Sequence, residues 1–359
     1  GWRVNDLVVS AAAAALRLQN SLLHGGARQR DGEHRGAVAG TLKPDGSALY
    51  VYGEITGYYL HWLASLPPTT AGVPAAATAA LGWLQRYLHG SELPLTRVYL
   101  HDNPQDWRND ALFAFDLAMI AGGMACIGNR GIAALPPVLL ADLQRWLQLF
   151  TRNDGLAVCL PRTPEAVLPQ RWSTCGGPFT AKSASRILLL AQQAPLDAAL
   201  VQACRVELQR IATDTSCHGI DMVHPTLYAI EGCLLCADSD PLVLARWFEQ
   251  VVALQGTDGS LPESLPTPDI RRSDIVAQAL RVAIFIEHQL QQPGRYRTAC
   301  DGFVRVLTQR VRADGTLPFS NDANPDANVW GAMFAEQALR LYVAHAQQQP
   351  LPFIAGELV

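Results

Sequence analysis

Glu54 stands in the stretch Tyr52-Gly53-Glu54-Ile55-Thr56-Gly57-Tyr58-Tyr59, where a β-prone run gives way to a helix lined with aromatic residues. A carboxyl group at such a junction is poorly hydrated, so its protonated form is favoured and it suits a general acid or base. The plainer reading is that Glu54 only favours the first turn of its helix. Asp274 follows Arg271 and Arg272 and is the candidate partner carboxylate, or else a helix cap paired with Arg271. Arg272 has the planar fork that clamps a carboxylate, sulfate or phosphate, though a surface arginine would look the same. Lys182 opens a helix whose other residues are small and apolar, where it is either a catalytic group or substrate contact, or a snorkelling side chain. His224, Tyr228 and Glu231 have i, i+4, i+7 spacing, share one helix face and are able to hydrogen-bond in a line, as a site or as a structural network. His224 or Lys182 would be the base for an elimination or cyclisation. Tyr58 and Trp330 offer stacking platforms for a sugar ring or ordinary packing, and Tyr228 and Asn328 offer polar contacts to a substrate.

These residues are far apart along the chain, so the elements that carry them decide whether they meet. Apolar periodicity and Gly or Pro stops predict twelve helices, the even-numbered ones beginning at about 54, 110, 179, 224, 273 and 328. Segments 37–42 and 48–52 flank Pro44-Asp45-Gly46 and read as a hairpin, 97–100 as a strand, and 28–35 as a mobile polar loop. Asp-Gly turns recur at 45, 154, 258 and 314 on the long connections, which alternate with short ones. One repeated two-helix unit with one enlarged set of loops predicts an all-α fold, an (α/α)6 barrel of six hairpins. Short β-hairpins sit in its long loops, and a single domain spans 1–359. An open helical solenoid is the alternative. With the even helices inside, their N-terminal ends share one face and gather Glu54, Asp110, Lys182, His218 and His224 with the 271–274 and 328–330 stretches. The helix dipoles add positive charge there.

Five phrases occur in order: Tyr-Gly-Glu-Ile-Thr-Gly-Tyr (52–58), Ala-Lys-Ser-Ala (181–184), His-Pro-Thr-Leu-Tyr-Ala-Ile-Glu-Gly (224–232), Arg-Ser-Asp-Ile-Val-Ala-Gln-Ala-Leu-Arg (272–281) and Asn-Val-Trp-Gly-Ala-Met-Phe-Ala-Glu-Gln-Ala-Leu (328–339). Together they resemble a bacterial family of six-hairpin-glycosidase-like proteins associated with polysaccharide and secondary-metabolite gene clusters. The resemblance implies the toroid; it does not choose among the hydrolases, lyases and epimerases that toroids host. Cys175-Gly176-Gly177-Pro178 followed by Cys217-His218-Gly219 is similar to the zinc ligands of lanthionine cyclases, and two thiolates plus an imidazole would leave an open catalytic position. Residues 220–359 extend far beyond that pair and the other motifs do not match, so no metal and no cofactor are expected.

Of 359 residues, 49% are hydrophobic and 17% charged, too little charge to solvate many helices on all sides. A net charge of −4 with scattered Lys and Arg argues against an extended nucleic-acid surface, and no uncharged apolar run is long enough to span a bilayer. The eight cysteines mostly fall in apolar helical patterns, Cys233 and Cys236 included, which reads as core in a reducing, cytoplasmic compartment. The expected function is acid–base catalysis on a small, polar, carbohydrate-like and anionic substrate, by a hydrolase, lyase or cyclase. The alternatives are a noncatalytic carbohydrate- or partner-binding toroid and the zinc cyclase. The expected partner is the small-molecule substrate, not nucleic acid or membrane, with room for a second subunit to complete the mouth.

Overall fold

Every residue of helix α2 (Gly53–Ser65) except Glu54 is buried. A helix that is apolar all round must be enclosed by others, and α10 (Ser273–Leu290) is likewise buried without a break from Ser273 to Glu287. The computed structural model, which describes residues 4–214 and 221–359, encloses them in a ring. Its inner helices are α2, α4 (Ala114–Asn129), α6 (Thr180–Ala191), α8 (Val223–Cys233), α10 and α12 (Val329–Ala346). Each packs on the next, and α12 returns to α2, so the barrel is closed and is not an open solenoid. The outer helices are α1 (Val4–His24), α3 (Val73–Leu88), α5 (Pro137–Gln148), α7 (Ala198–Ala212), α9 (Pro241–Val252) and α11 (Arg297–Arg310). These are one-sided: α5 buries Leu139, Leu143, Trp146 and Leu147. Asp197 and Asp240 cap α7 and α9, Asp197 accepting from the Ala199 and Leu200 N–H groups and Asp240 from the Leu242 N–H. No helix is long and apolar enough to cross a membrane, among the described residues.

The contact between α2 and α4 is unusually close. A Cβ on Gly57 would sit 2.7 Å from the backbone of Met119 and Ile120, and one on Gly123 would run into the Gly57 carbonyl. Only glycine allows two helix backbones to touch in this way. One turn nearer the N-terminus from this contact, α2 carries Glu54 and α4 carries Asp116, so the same glycines bring those two carboxyl groups together.

Strands β1 (Ala39–Leu42), β2 (Ala48–Tyr52), β3 (Arg97–Tyr99) and, late in the chain, Ala327–Asn328 form a four-stranded sheet at the mouth. The Asp-Gly turns share one chemistry. Asp45, Asp258 and Asp314 each accept from the backbone N–H and hydroxyl two residues on, and Gly46, Gly259 and Gly315 take the positive φ between them.

Two expectations are corrected. The fourth helix begins at Ala114, not Asp110, because Trp107–Asp110 is a 3-10 turn and Ala111–Phe113 pairs as a strand with Cys159–Pro161. The 28–35 segment is tied down by hydrogen bonds from Gln29 to Ala37, from Gly36 to Gln29, and from the Arg28 and Arg30 guanidinium groups to the Leu23 carbonyl.

Candidate active site

A cleft of about 550 Å³ opens where the inner helices begin. Its floor is made by the first turns of α2 and α4 and the first two turns of α8, which present Glu54, Asp116, His224 and Tyr228. β2 and β3 build one wall: Tyr52 pairs with Arg97 across the strands, and the Arg97 guanidinium lies 4.6 Å from the Tyr50 ring centre. A one-turn helix, Trp172–Cys175, with Arg171 at its start, makes another wall, and Trp330 and Phe319 close the far side. The lining is dense in aromatic rings and in guanidinium groups.

Glu54 and Asp116 face each other in hydrogen-bond contact. Burial raises both pKa values; the hydrogen bond and the Glu54 charge raise Asp116 further, to well above the usual carboxyl range. For Glu54 the hydrogen bonds from Asp116 and the Tyr52 hydroxyl work against burial. Two carboxylates in contact do not both ionise, so the pair holds one proton, more tightly on Asp116. It is an acid and a base in one unit.

Asp274 is not the partner of Glu54. It lies fully buried under the cleft, with Arg272 forked onto both its oxygens at 3.0 and 2.6 Å, the Trp330 indole donating at 3.0 Å and the Ile275 N–H at 2.9 Å. Burial alone would raise its pKa; the Arg272 charge and these hydrogen bonds outweigh burial and hold it below the ordinary value. Asp274 therefore stays ionised and orients Arg272 and Trp330. Arg272 in turn has its fork filled, with Glu263 at 3.6 Å as a second carboxylate, so it reaches the cleft but is no open clamp. Arg272→Ala would leave Asp274 charged, buried and unpaired. The expected loss is about 3–5 kcal/mol of stability in urea unfolding at neutral pH; an unchanged midpoint would mean that Arg272 serves only a ligand.

His224 lines the cleft as a neutral ring. Burial and the nearby Arg272 charge lower its pKa to about 4. Its Nδ1 is 2.8 Å from Gln278 Oε1, and the Gln278 amide nitrogen faces Glu231, so Nδ1 donates and Nε2 keeps its lone pair. His224, Tyr228 and Glu231 do share a face, but the hydrogen-bonded line runs through Gln278. Tyr228 instead bonds the Tyr58 hydroxyl at 2.8 Å.

Lys182 and Tyr58 lie beneath the floor. Lys182 is fully buried, donates to Glu231 at 2.8 Å and to the Val359 carbonyl at 2.7 Å, and is caged by the rings of Tyr228, Tyr58 and Phe334. Arg281 takes the other Glu231 oxygen at 2.7 Å. Thus Glu54, His224, Tyr228, Arg272, Asn328 and Trp330 meet around the cleft. Asn328 also caps α12 by accepting from the Gly331 N–H. Asp274, Lys182 and Tyr58 support it from below, and Asp110 is exposed outside it. Cys175 is exposed; Cys217 and His218, its counterparts in the zinc reading, lie outside the described residues.

Sequence reasoning missed Asp116, Arg97 and the Arg171-Trp172 pair. Asp116 had a signal: it is the third residue of its inner helix, as Glu54 is the second of its own. Arg171 sits in a long connection with no periodicity to place it.

No protein-family model and no curated protein sequence matches the chain. Solved structures do. A D-mannose isomerase superposes with a TM-score of 0.67 at 12% identity, covering 93% of this chain and 96% of that one. A cellobiose 2-epimerase from Spirochaeta thermophila gives 0.65 at 14%, covering 95% and 98%. A type II terpene cyclase from Scytonema, in complex with geranylgeranyl dihydroxybenzoate, gives 0.59 at 13%, covering 95% and 99%. Across such different proteins what is shared is the ring of hairpins, and this chain has the (α/α)6 six-hairpin glycosidase-like fold.

Proposed function

We propose that the chain is an enzyme that moves a proton on a small, polar, carbohydrate-like substrate, with Glu54 and Asp116 as the acid–base unit. The observation that carries this is the pair itself, two carboxyl groups sharing a proton on the floor of an aromatic cleft. Perturbed carboxyl groups in a cleft mark chemistry more than packing, which argues against a purely binding role. Their contact also bears on the type of reaction. Glycoside hydrolases that work with two carboxyls hold them about 5 Å apart or more, to admit a sugar carbon or a water between them. Groups in direct contact leave no such space, so isomerisation, epimerisation or elimination fits better than hydrolysis. Trp330 and Trp172 give stacking faces for a ring, and His224 Nε2 offers an acceptor for a hydroxyl. The isomerase and the epimerase among the structural neighbours are consistent with a sugar substrate.

Cyclisation of an apolar polyene is the second reading, favoured by the many rings of the lining and by the protonated Asp116. The guanidinium groups in the same cleft count against it, because they would oppose a carbocation. The test is to incubate the protein in D2O with a panel of aldoses, ketoses and hexuronates and follow the products by NMR. The expected result is deuterium at a carbon next to the carbonyl, absent from a Glu54→Gln/Asp116→Asn double variant. Exchange that survives in the double variant would overturn the assignment.

A further inference from the structure

Four arginines face the cleft, and three of them are ion-paired with carboxylates. Arg97 and Arg108 share Asp106 at 3.1 and 3.2 Å, and Arg272 holds Asp274. The Arg171 side chain has no hydrogen bond and no ion pair among the described residues, and its Nε is buried without a partner. Its contacts are with rings: the guanidinium carbon is 5.7 Å from the Trp107 ring centre and 5.9 Å from that of Trp172, cation–π contacts that leave its N–H groups without acceptors, and Arg108 lies 4.8 Å from the Trp107 ring.

The position is built, not incidental. The Arg171 backbone N–H is bonded by Thr174 Oγ1, its carbonyl accepts from the Thr174 and Cys175 N–H groups, and Trp172 packs edge-on against Phe179 and His224. A guanidinium does not lose its proton at accessible pH, so this charge persists, half-buried beside Arg108, with Arg272 and Arg97 near enough to repel it and Glu263 near enough to attract it without an ion pair. A guanidinium without a hydrogen-bonding partner, flanked by two indoles, is complementary to an oxyanion on a ring-shaped ligand.

Resting on the proton-transfer reading above, we propose that Arg171, with Arg108 beside it, binds an oxyanion group of the substrate: a carboxylate, a sulfate or a phosphate ester. The substrate is then an acidic sugar-like molecule and not a neutral sugar. This moves the clamp from Arg272, whose fork is filled, to the arginine whose fork is empty.

The test uses the whole chain at constant ionic strength. Sodium D-glucuronate, sulfate, inorganic phosphate and D-glucose are titrated separately while tryptophan emission and the melting temperature are followed. A saturable response to one or more anions is expected, with none to glucose at equal concentration, and the best-bound anion identifies the group. Arg171→Gln should weaken that anion at least tenfold and Arg171→Lys less. Arg246→Gln, on an exposed face of α9, should leave it unchanged. No saturable anion response, an equal response to glucose, or equal binding by the Arg171→Gln and Arg246→Gln variants would overturn the proposal. Glu54→Gln is expected to keep anion binding, so the two readings fail separately: absent anion binding with a Glu54-dependent turnover defeats the oxyanion site alone, and intact binding with full Glu54→Gln turnover defeats the acid–base pair alone.

Discussion

Glu54→Gln and Asp116→Asn are each expected to lower turnover by about 10²- to 10⁴-fold, the range of a positioned acid or base, while substrate binding changes little because shape is nearly conserved. The working pair carries one proton. Acid adds a second and silences the base; alkali removes the first and silences the acid. Since both pKa values are raised by burial, both limbs of the pH–rate profile lie above the ordinary carboxyl range. Stability moves the other way. Above pH of about 4 an unfolded carboxyl has lost its proton while the folded pair still holds one, so the folded state binds more protons and stability falls as pH rises through the raised values. Asp116→Asn removes that penalty, and about 1 kcal/mol of added stability at pH 8, with a flatter pH dependence, is expected in urea unfolding. A variant that is inactive and also less stable at pH 8 would mark the pair as structural.

Glu231→Ala is expected to be strongly destabilising. It strips the shared carboxylate from Lys182 and Arg281, both fully buried, with Arg186 buried nearby and hydrogen-bonded to Ser185 and the Leu358 and Ala355 carbonyls. Breaking a buried pair in this way costs about 3–5 kcal/mol, read as a lost unfolding transition or a large drop in its midpoint. One carboxylate among three cations also has a pH signature. Burial first, with Arg186 and Arg281 adding to it against the pull of Glu231, lowers the Lys182 pKa to about 7. Between there and the ordinary lysine value of 10.5 the unfolded chain binds the extra proton, so this group makes stability rise with pH across that window. Lys182→Met should abolish the rise; a Lys182→Met variant that still gains stability from pH 7 to 9 would refute it.

The ring was legible because burial on all sides of one helix and on one side of the next leaves a period that survives in the residues themselves. The position of Glu54 at the mouth was legible for the same reason. Asp116 was not, and the cause is specific: Asn109-Asp110 resembles a helix cap, and Ala111-Leu112-Phe113 continues smoothly into an apolar helix. Only pairing with Cys159–Pro161, some fifty residues on, makes that run a strand and moves the helix start four residues. Asp274 was placed in the correct turn of the correct helix; that its partner is Arg272, two residues back, depends on a side-chain direction no spacing reveals. Lys182 was rightly singled out as anomalous among small residues, but the cavity it faces is filled by Glu231.

The backbone contact at Gly57 gives this barrel a ruler. The separation of the two carboxyl groups is set by where two helices touch, while the walls that would choose a substrate hang on connections at 97–113, 159–179 and 319–328. Surface connections lengthen and change at small entropic cost; a glycine wedged between two backbones does not. The loops around the cleft are thus free to change while Glu54 and Asp116 stay in register, and a search for related chains should follow the Gly57 contact before it follows the loops.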